Sequence, residues 1–313
     1  MTGKKPTKLD FARDVDFSDI LTNPILDIAA RFWEKDRYKA FRVCYRSMRR
    51  IDDLVDHRKE SSNKITEEEI AVMERGMLNW LESVRRGDSD DQFTLEFLSI
   101  LKRFRIPLWP WERLHRSMVY DLKHDGFSSF LVFVRYTEGA AIAPASIFMH
   151  LCGLNRTNGD YILPGFDIRL AARPLALFSY LVHIMRDFQK DQLAGLNYFS
   201  DRLLEAYGLS RKDLRLIAEG ASVTDGCRRL MARYHSFAEY YRKRARAMVK
   251  AVSPFLAPRY QLSVELIYQL YLQIFELIDP VRGGFSADEL TPSPTAISDR
   301  IQNTITGFRP VSQ

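Results

Sequence analysis

Among aspartates four residues apart, three pairs stand out: Asp52 and Asp56 in RRIDDLVD, Asp121 and Asp125 in YDLKHDG, and Asp187 and Asp191 in RDFQKD. That spacing puts both carboxylates of a pair on one helix face, one turn apart. Like charges held so close repel. A hard divalent cation such as Mg²⁺, which prefers carboxylate oxygens and keeps water, relieves the repulsion. With 24 aspartates in 313 residues, about two such pairs arise by chance, so context has to choose. Asp52 and Asp56 lie among Ile51, Leu54 and Val55, with Arg49 one turn earlier. Asp187 and Asp191 follow the apolar run LALFSYLVHIMR, and their 3.6-residue stripe runs back through His183 and Tyr180. Asp121 and Asp125 end at Gly126 among polar residues and read as structural. Two pairs on apolar helices, each with an arginine (Arg49, Arg186) beside it, point to a metal-bridged diphosphate, because guanidinium donors match phosphate oxygens.

The elements that must carry these groups are helical nearly throughout. Ala40, Phe41, Cys44, Met48, Ile51 and Val55 recur at helix period. Thr66-Glu67-Glu68-Glu69 is a capping-box start for a helix that closes at Gly87. Further helices are expected at 92–103, 110–123, 128–153, 170–190, 200–207, 210–220, 222–252 and 260–278, with Ser200, Ser210 and Ser263 placed as N-caps. Phe130–Val134 also reads as a strand, but nothing nearby pairs with it. No repeat or linker marks a boundary. The expectation is one all-α domain, with Thr291–Gln313, which holds two prolines in TPSP, loosely packed.

Hydrophobic residues make up 46% and charged residues 27%, which excludes a disordered chain. Cys44, Cys152 and Cys227 are widely spaced and odd in number, so neither a disulfide framework nor a thiolate zinc site is expected. The basic N-terminus has no apolar run behind it, which argues against a secretory signal. The greasiest stretch, Leu170–Met185, is broken by Arg173, Pro174 and His183 and falls short of the roughly 18–20 apolar residues of a spanning helix. A reduced, cytoplasmic protein is expected. Net charge is +6, and eight of the 23 residues in Arg228–Lys250 are basic. A solvated face is the plainest reading, and contact with anionic lipid comes next. No nucleic-acid motif is present, so no nucleic-acid partner is expected.

The segments AFRVCYRSMRRIDDLVD and HIMRDFQKD, the latter followed by LNYFS, resemble the two aspartate-rich helices of the squalene/phytoene synthase family of head-to-head prenyltransferases. Tyr136 in YTEGAAIAPA is similar to that family's middle tyrosine, and Tyr268 in IYQLYLQI to its late one. The resemblance covers about residues 20–280. It implies an isoprenoid-synthase helical bundle with a central cavity over 21–285, an extension at 1–20 and a tail at 286–313. It also implies Mg²⁺ on Asp52, Asp56, Asp187 and Asp191, with Asp53 assisting. Arg49, Arg186 and Tyr268 would contact diphosphate. Tyr136 would stand near the reacting carbons, where it could steady a cation, and Asp52 and Asp187 would be indispensable to turnover.

The implied reaction joins two prenyl diphosphates, farnesyl or geranylgeranyl, through a cyclopropyl intermediate. NADPH is required only for a squalene-like product, and the greasy product implies work at a membrane surface. Several positions depart from the family pattern. Tyr180 and His183 replace a usual Gln and Asn, and Lys190 replaces an acid. Leu196-Asn197 precede Tyr198 in place of an Arg, Asn23-Pro24-Ile25 replaces a Ser-Phe-Ser element, and GAA stands for VAG. These mark a divergent member. Two alternatives remain: a cyclase or lyase acting on one prenyl diphosphate, and a non-catalytic assembly or binding relative. Retention of all four motif aspartates argues against the latter.

Overall fold

A computed structural model describes residues 10–13, 15–60 and 65–312. The chain opens with α1 (Asp10–Arg13), α2 (Ile25–Ala30), α3 (Lys35–Glu60), α4 (Glu67–Arg86), α5 (Gln92–Arg103) and α6 (Trp109–Lys123). Then α7 (Phe130–Thr137) runs through a π-helical turn, Glu138–Ile142, into α8 (Ala143–Gly153). A small antiparallel hairpin, β1 (Asn155–Thr157) and β2 (Asp160–Ile162), pairs Arg156 with Tyr161. The remainder is α9 (Ile168–Arg186), α10 (Phe188–Leu193), α11 (Asp201–Ala206), α12 (Arg211–Ala218), α13 (Asp225–Val252), α14 (Pro258–Leu277), α15 (Ala287–Leu290) and α16 (Pro294–Gly307).

Local chemistry sets several of these ends. The Thr66 hydroxyl accepts the Glu69 N–H, and the Glu69 carboxylate accepts the Thr66 N–H at 2.8 Å. Gly87 then ends α4 in the left-handed conformation that glycine adopts freely. Ser210 and Asp213 form a second capping box on α12. Asp167 caps α9 by accepting from the N–H groups of Arg169 and Leu170.

The core is built around α9, which packs against α8, α13 and α14. Leu177, Phe178, Leu181, Val182 and Met185 are fully buried there. By length and a mean hydropathy of 1.3, α9 is apolar enough to cross a membrane. Those apolar side chains are instead covered by neighbouring helices. All three cysteines are buried and free.

Phe130–Val134 is helical, within the stretch 128–153 expected to be so, because Ser129 caps α7 by accepting the Val132 N–H and the aromatic side chains pack inward. Three local expectations change. The helix expected over 170–190 ends at Arg186, and α10 begins after Asp187. Ser263 lies inside α14, where its hydroxyl accepts the Trp33 indole N–H at 2.8 Å. The C-terminal stretch is not loose. α16 packs on α14, Ile301 is fully buried, and Gln261 exchanges two hydrogen bonds with the Val311 backbone. Of the expected extension at 1–20, residues 1–9 and 14 lie outside the described residues, whereas Phe17 and Ile20 are buried against the domain.

Candidate active site

A cavity of about 490 Å³ opens between α3, α6, the π-helical turn, α8, α9, α10 and α14. Its walls are apolar, with Leu114, Phe148, Met149, Leu175 and Ile267. Its mouth carries Asp52, Asp56 and Arg49 from α3, Arg186 and Asp187 from the end of α9, and Lys190 and Asp191 from α10. The helix break at Asp187 does not upset the spacing. The Asp187 N–H donates to the His183 carbonyl at 2.9 Å, and the Asp191 N–H donates to the Asp187 carbonyl at 2.8 Å. The two aspartate pairs and their arginines therefore share one cavity, together with Tyr136. Tyr268 stands apart. It is buried outside the lining, and its hydroxyl accepts from Arg242 at 3.1 Å. Tyr271, nearly one turn on, faces the cavity in its place.

The electrostatics are those of carboxylates held against their preference. Burial pushes Asp52 up to about 7, and the charge of Asp56 adds to it. Asp191 is pushed up to about 7 by burial, then by Asp187, and it also feels Asp56. Burial and then Asp121 raise Asp56. Asp187 is the exception. Burial alone would raise it, but hydrogen bonds from His183 and Arg186 outweigh that and hold it well below the usual carboxylate range. Arg186 is bidentate on Asp187, at 2.6 Å and 2.9 Å. Arg49 donates to Asp52 at 2.5 Å and also to Asp53.

These observations test a divalent cation. Among the described residues no three His, Cys, Asp or Glu side chains converge into a preformed metal centre. The donor set is hard carboxylate oxygen on two sides of one mouth. Three of its four carboxyls are forced up by burial and like charge, a penalty that a cation removes. The residues fit a hard cation that keeps waters and takes its remaining oxygens from an anionic ligand.

A family model described as squalene/phytoene synthase matches residues 27–286, which include both aspartate pairs and the late tyrosines. The chain belongs to the squalene/phytoene synthase family. Among solved structures it is similar to squalene synthase HpnC from Alicyclobacillus acidocaldarius, at 18% identity and a TM-score of 0.60, covering 86% of this chain and 94% of that one. It is also similar to a dehydrosqualene synthase solved in complex with a ligand, at 16% identity and a TM-score of 0.68, covering 95% of each chain. At these identities the likeness establishes the shared all-α fold. No curated protein matches the sequence.

Of the positions that depart from the squalene/phytoene synthase pattern, Tyr180, His183 and Lys190 line this same cavity. His183 has both ring nitrogens engaged by its neighbours. A guanidinium can only donate, so His183 Nδ1 accepts from Arg186 at 3.2 Å, and Nε2–H gives to Asp187 at 2.9 Å. Neither ring nitrogen offers a free lone pair to a metal in this arrangement. Tyr180 stacks on Phe133 with ring centroids 5.7 Å apart and stands edge-on to Tyr198 at 6.3 Å. With Tyr136 at 6.4 Å it forms an aromatic wall. Lys190 projects an ammonium at the mouth, where it partly offsets the charge of Asp191.

Asp121 is the residue that sequence reasoning set aside. The Tyr136 hydroxyl donates to Asp121 Oδ2 at 2.6 Å, and Lys59 Nζ lies 3.3 Å from Oδ1. Burial raises the Asp121 carboxyl and pushes the Tyr136 phenol well above its ordinary value, so the phenol stays a donor. The pairing joins α6 to α7. The one signal for it in the sequence was the four-residue spacing, which does not reveal a partner fifteen residues away.

Proposed function

We propose that this chain is a Mg²⁺-dependent prenyltransferase that joins two prenyl diphosphates, farnesyl or geranylgeranyl, head to head through a cyclopropyl intermediate. The product would be a squalene- or phytoene-type hydrocarbon. The observation that carries this reading is the pair of aspartate motifs, each with its own arginine, at the mouth of one apolar cavity. Asp52, Asp56, Asp187 and Asp191 would hold Mg²⁺, which supplies charge stabilisation to a departing diphosphate. Arg49 and Arg186 now neutralise those carboxylates, and the same planar donors suit diphosphate oxygens. Lys190 adds a third cation at the mouth.

The prenyl chains lie along the apolar wall, where water is excluded and an allylic cation survives long enough to meet the second double bond. The faces of Tyr136, Tyr180 and Tyr198 present negative π density toward such a cation. Asp121 fixes the Tyr136 hydroxyl and so fixes the ring. Loss of a proton from the rearranged cation gives a phytoene-like product. Hydride from NADPH gives a squalene-like one.

The test is diphosphate release from farnesyl and geranylgeranyl diphosphate with Mg²⁺. Wild type releases diphosphate, while Asp52→Asn and Asp187→Asn each lose about 10²–10³-fold in rate, the cost of removing charge stabilisation from a leaving group. A folded wild-type protein that releases none from either substrate would overturn the proposal and favour a binding protein.

A further inference from the structure

The two halves of the catalytic mouth carry different charge. On α3 three carboxylates, Asp52, Asp53 and Asp56, stand against one guanidinium, Arg49, which is engaged by Asp52 and Asp53. The neighbouring Asp121 and Lys59, 3.3 Å apart, offset each other. The α3 half therefore keeps an excess of negative charge, which a divalent cation fills. On the α9–α10 side Asp187 and Asp191 stand against as many cations, Arg186 and Lys190, so that half is formally neutral. A divalent cation gains less there, and the Lys190 ammonium repels it.

The partners on that side single out Lys190. Arg186 is bidentate on Asp187 and also donates to His183. Both ring nitrogens of His183 are taken, by Arg186 and Asp187. Lys190 is exposed on α10, and among the described residues it makes no hydrogen bond or ion pair. Its charge only offsets that of Asp191 through space. Placed next to a carboxylate that faces a cation, a lysine that did nothing else would simply weaken that carboxylate's attraction for the cation. An ammonium offers three donors in no fixed plane, which suits a phosphate oxygen approaching from several directions. Tyr271 of α14 adds a second, independent donor. It lines the same cavity within electrostatic reach of Arg186 and Asp187, and its hydroxyl makes no hydrogen bond among the described residues.

We propose that Lys190, with the Tyr271 hydroxyl, binds a substrate diphosphate directly and takes the place of a divalent cation that an acid at position 190 would have recruited. This deepens the prenyltransferase reading and rests on it. The four aspartates keep their cations at the mouth, and the α9–α10 half needs one fewer because the chain supplies its own positive charge.

Calorimetric binding of inorganic diphosphate to the full chain in Mg²⁺ tests this, with Mn²⁺ then counted per bound diphosphate by electron paramagnetic resonance. Wild type binds. Lys190→Gln, at an exposed position that folding tolerates, weakens binding about 10–100-fold, the loss of one charge-assisted hydrogen bond, and Lys190→Arg restores most of it. Tyr271→Phe weakens it about 2–10-fold, the loss of a neutral donor. Lys190→Glu, which puts back the acid of the family pattern, takes up about one Mn²⁺ more per diphosphate than wild type. Lys212→Gln removes the same charge from the exposed face of α12 and leaves affinity and count unchanged. Unchanged affinity in Lys190→Gln, or an unchanged Mn²⁺ count in Lys190→Glu, overturns the proposal while the prenyltransferase reading stands. A wild-type protein that binds no diphosphate in Mg²⁺ overturns that reading and the role of Lys190 with it.

Discussion

Asp52 and Asp191 are each pushed up to about 7, first by burial and then by the paired aspartate. A carboxyl whose folded pKa exceeds its unfolded value near 4 takes up a proton on folding between the two. Its contribution is therefore favourable below about pH 4 and is lost as pH rises through about 7. Asp187 has the opposite sign. It is held low by His183 and Arg186, so it stabilises above the unfolded value and loses that only as pH falls through its folded one. Thermal unfolding without divalent cation should thus show a melting temperature that falls between about pH 5 and about pH 8, with a shallower fall in Asp52→Asn. Mg²⁺ should raise the melting temperature strongly at the upper pH and little at the lower, where protons compete for the carboxylates. An equal Mg²⁺ shift at both would contradict binding at these groups.

Tyr136→Phe removes the donor to a buried carboxylate oxygen and should cost about 1–3 kcal/mol in urea unfolding. The four motif aspartates were legible because arginine and apolar neighbours accompanied the spacing. Tyr268 and Tyr271 were not separable. Both lie on α14, which is buried on much of its circumference, so periodicity does not say which tyrosine faces the cavity.

At the scale of elements, the π-helical turn Glu138–Ile142 is the piece that brings α7 and α8 onto the cavity. It rests on α6 at Gly139, where an added Cβ would collide with the Arg113 carbonyl and the Ser117 hydroxyl. Glu138 ties the same turn to Arg169 and Arg173 of α9. Gly139→Ala should therefore destabilise by about 3 kcal/mol, measured by urea unfolding, because backbone must move to admit one methyl. Nothing in the sequence GAAIAPA announces that turn. A π turn has no period that distinguishes it from α-helix over five residues.

The C-terminal helix makes a similar point. TPSP read as a loose tail, yet the second proline is the first residue of α16, after the Ser293 cap. Removing residues 294–313 should lower the melting temperature by uncovering Ile301's site on α14, whereas a loose tail would leave it unchanged.

For the whole molecule, the all-α class followed from helix-period patterning, and the family from two motifs plus two tyrosines. The convergence of α3, α9 and α10 on one mouth comes from packing, which no local pattern contains. The arrangement gives an apolar-walled cavity with carboxylates and arginines at its mouth, suited to ionising a diphosphate and sheltering what remains. The claim that two substrates are joined there is tested most directly by mass spectrometry of the organic extract after incubation with farnesyl or geranylgeranyl diphosphate and Mg²⁺, with and without NADPH. The account predicts a thirty- or forty-carbon linear hydrocarbon, built from two fifteen- or twenty-carbon units, that disappears in Asp52→Asn and Asp187→Asn. A cyclised or hydroxylated product of a single prenyl unit would contradict it.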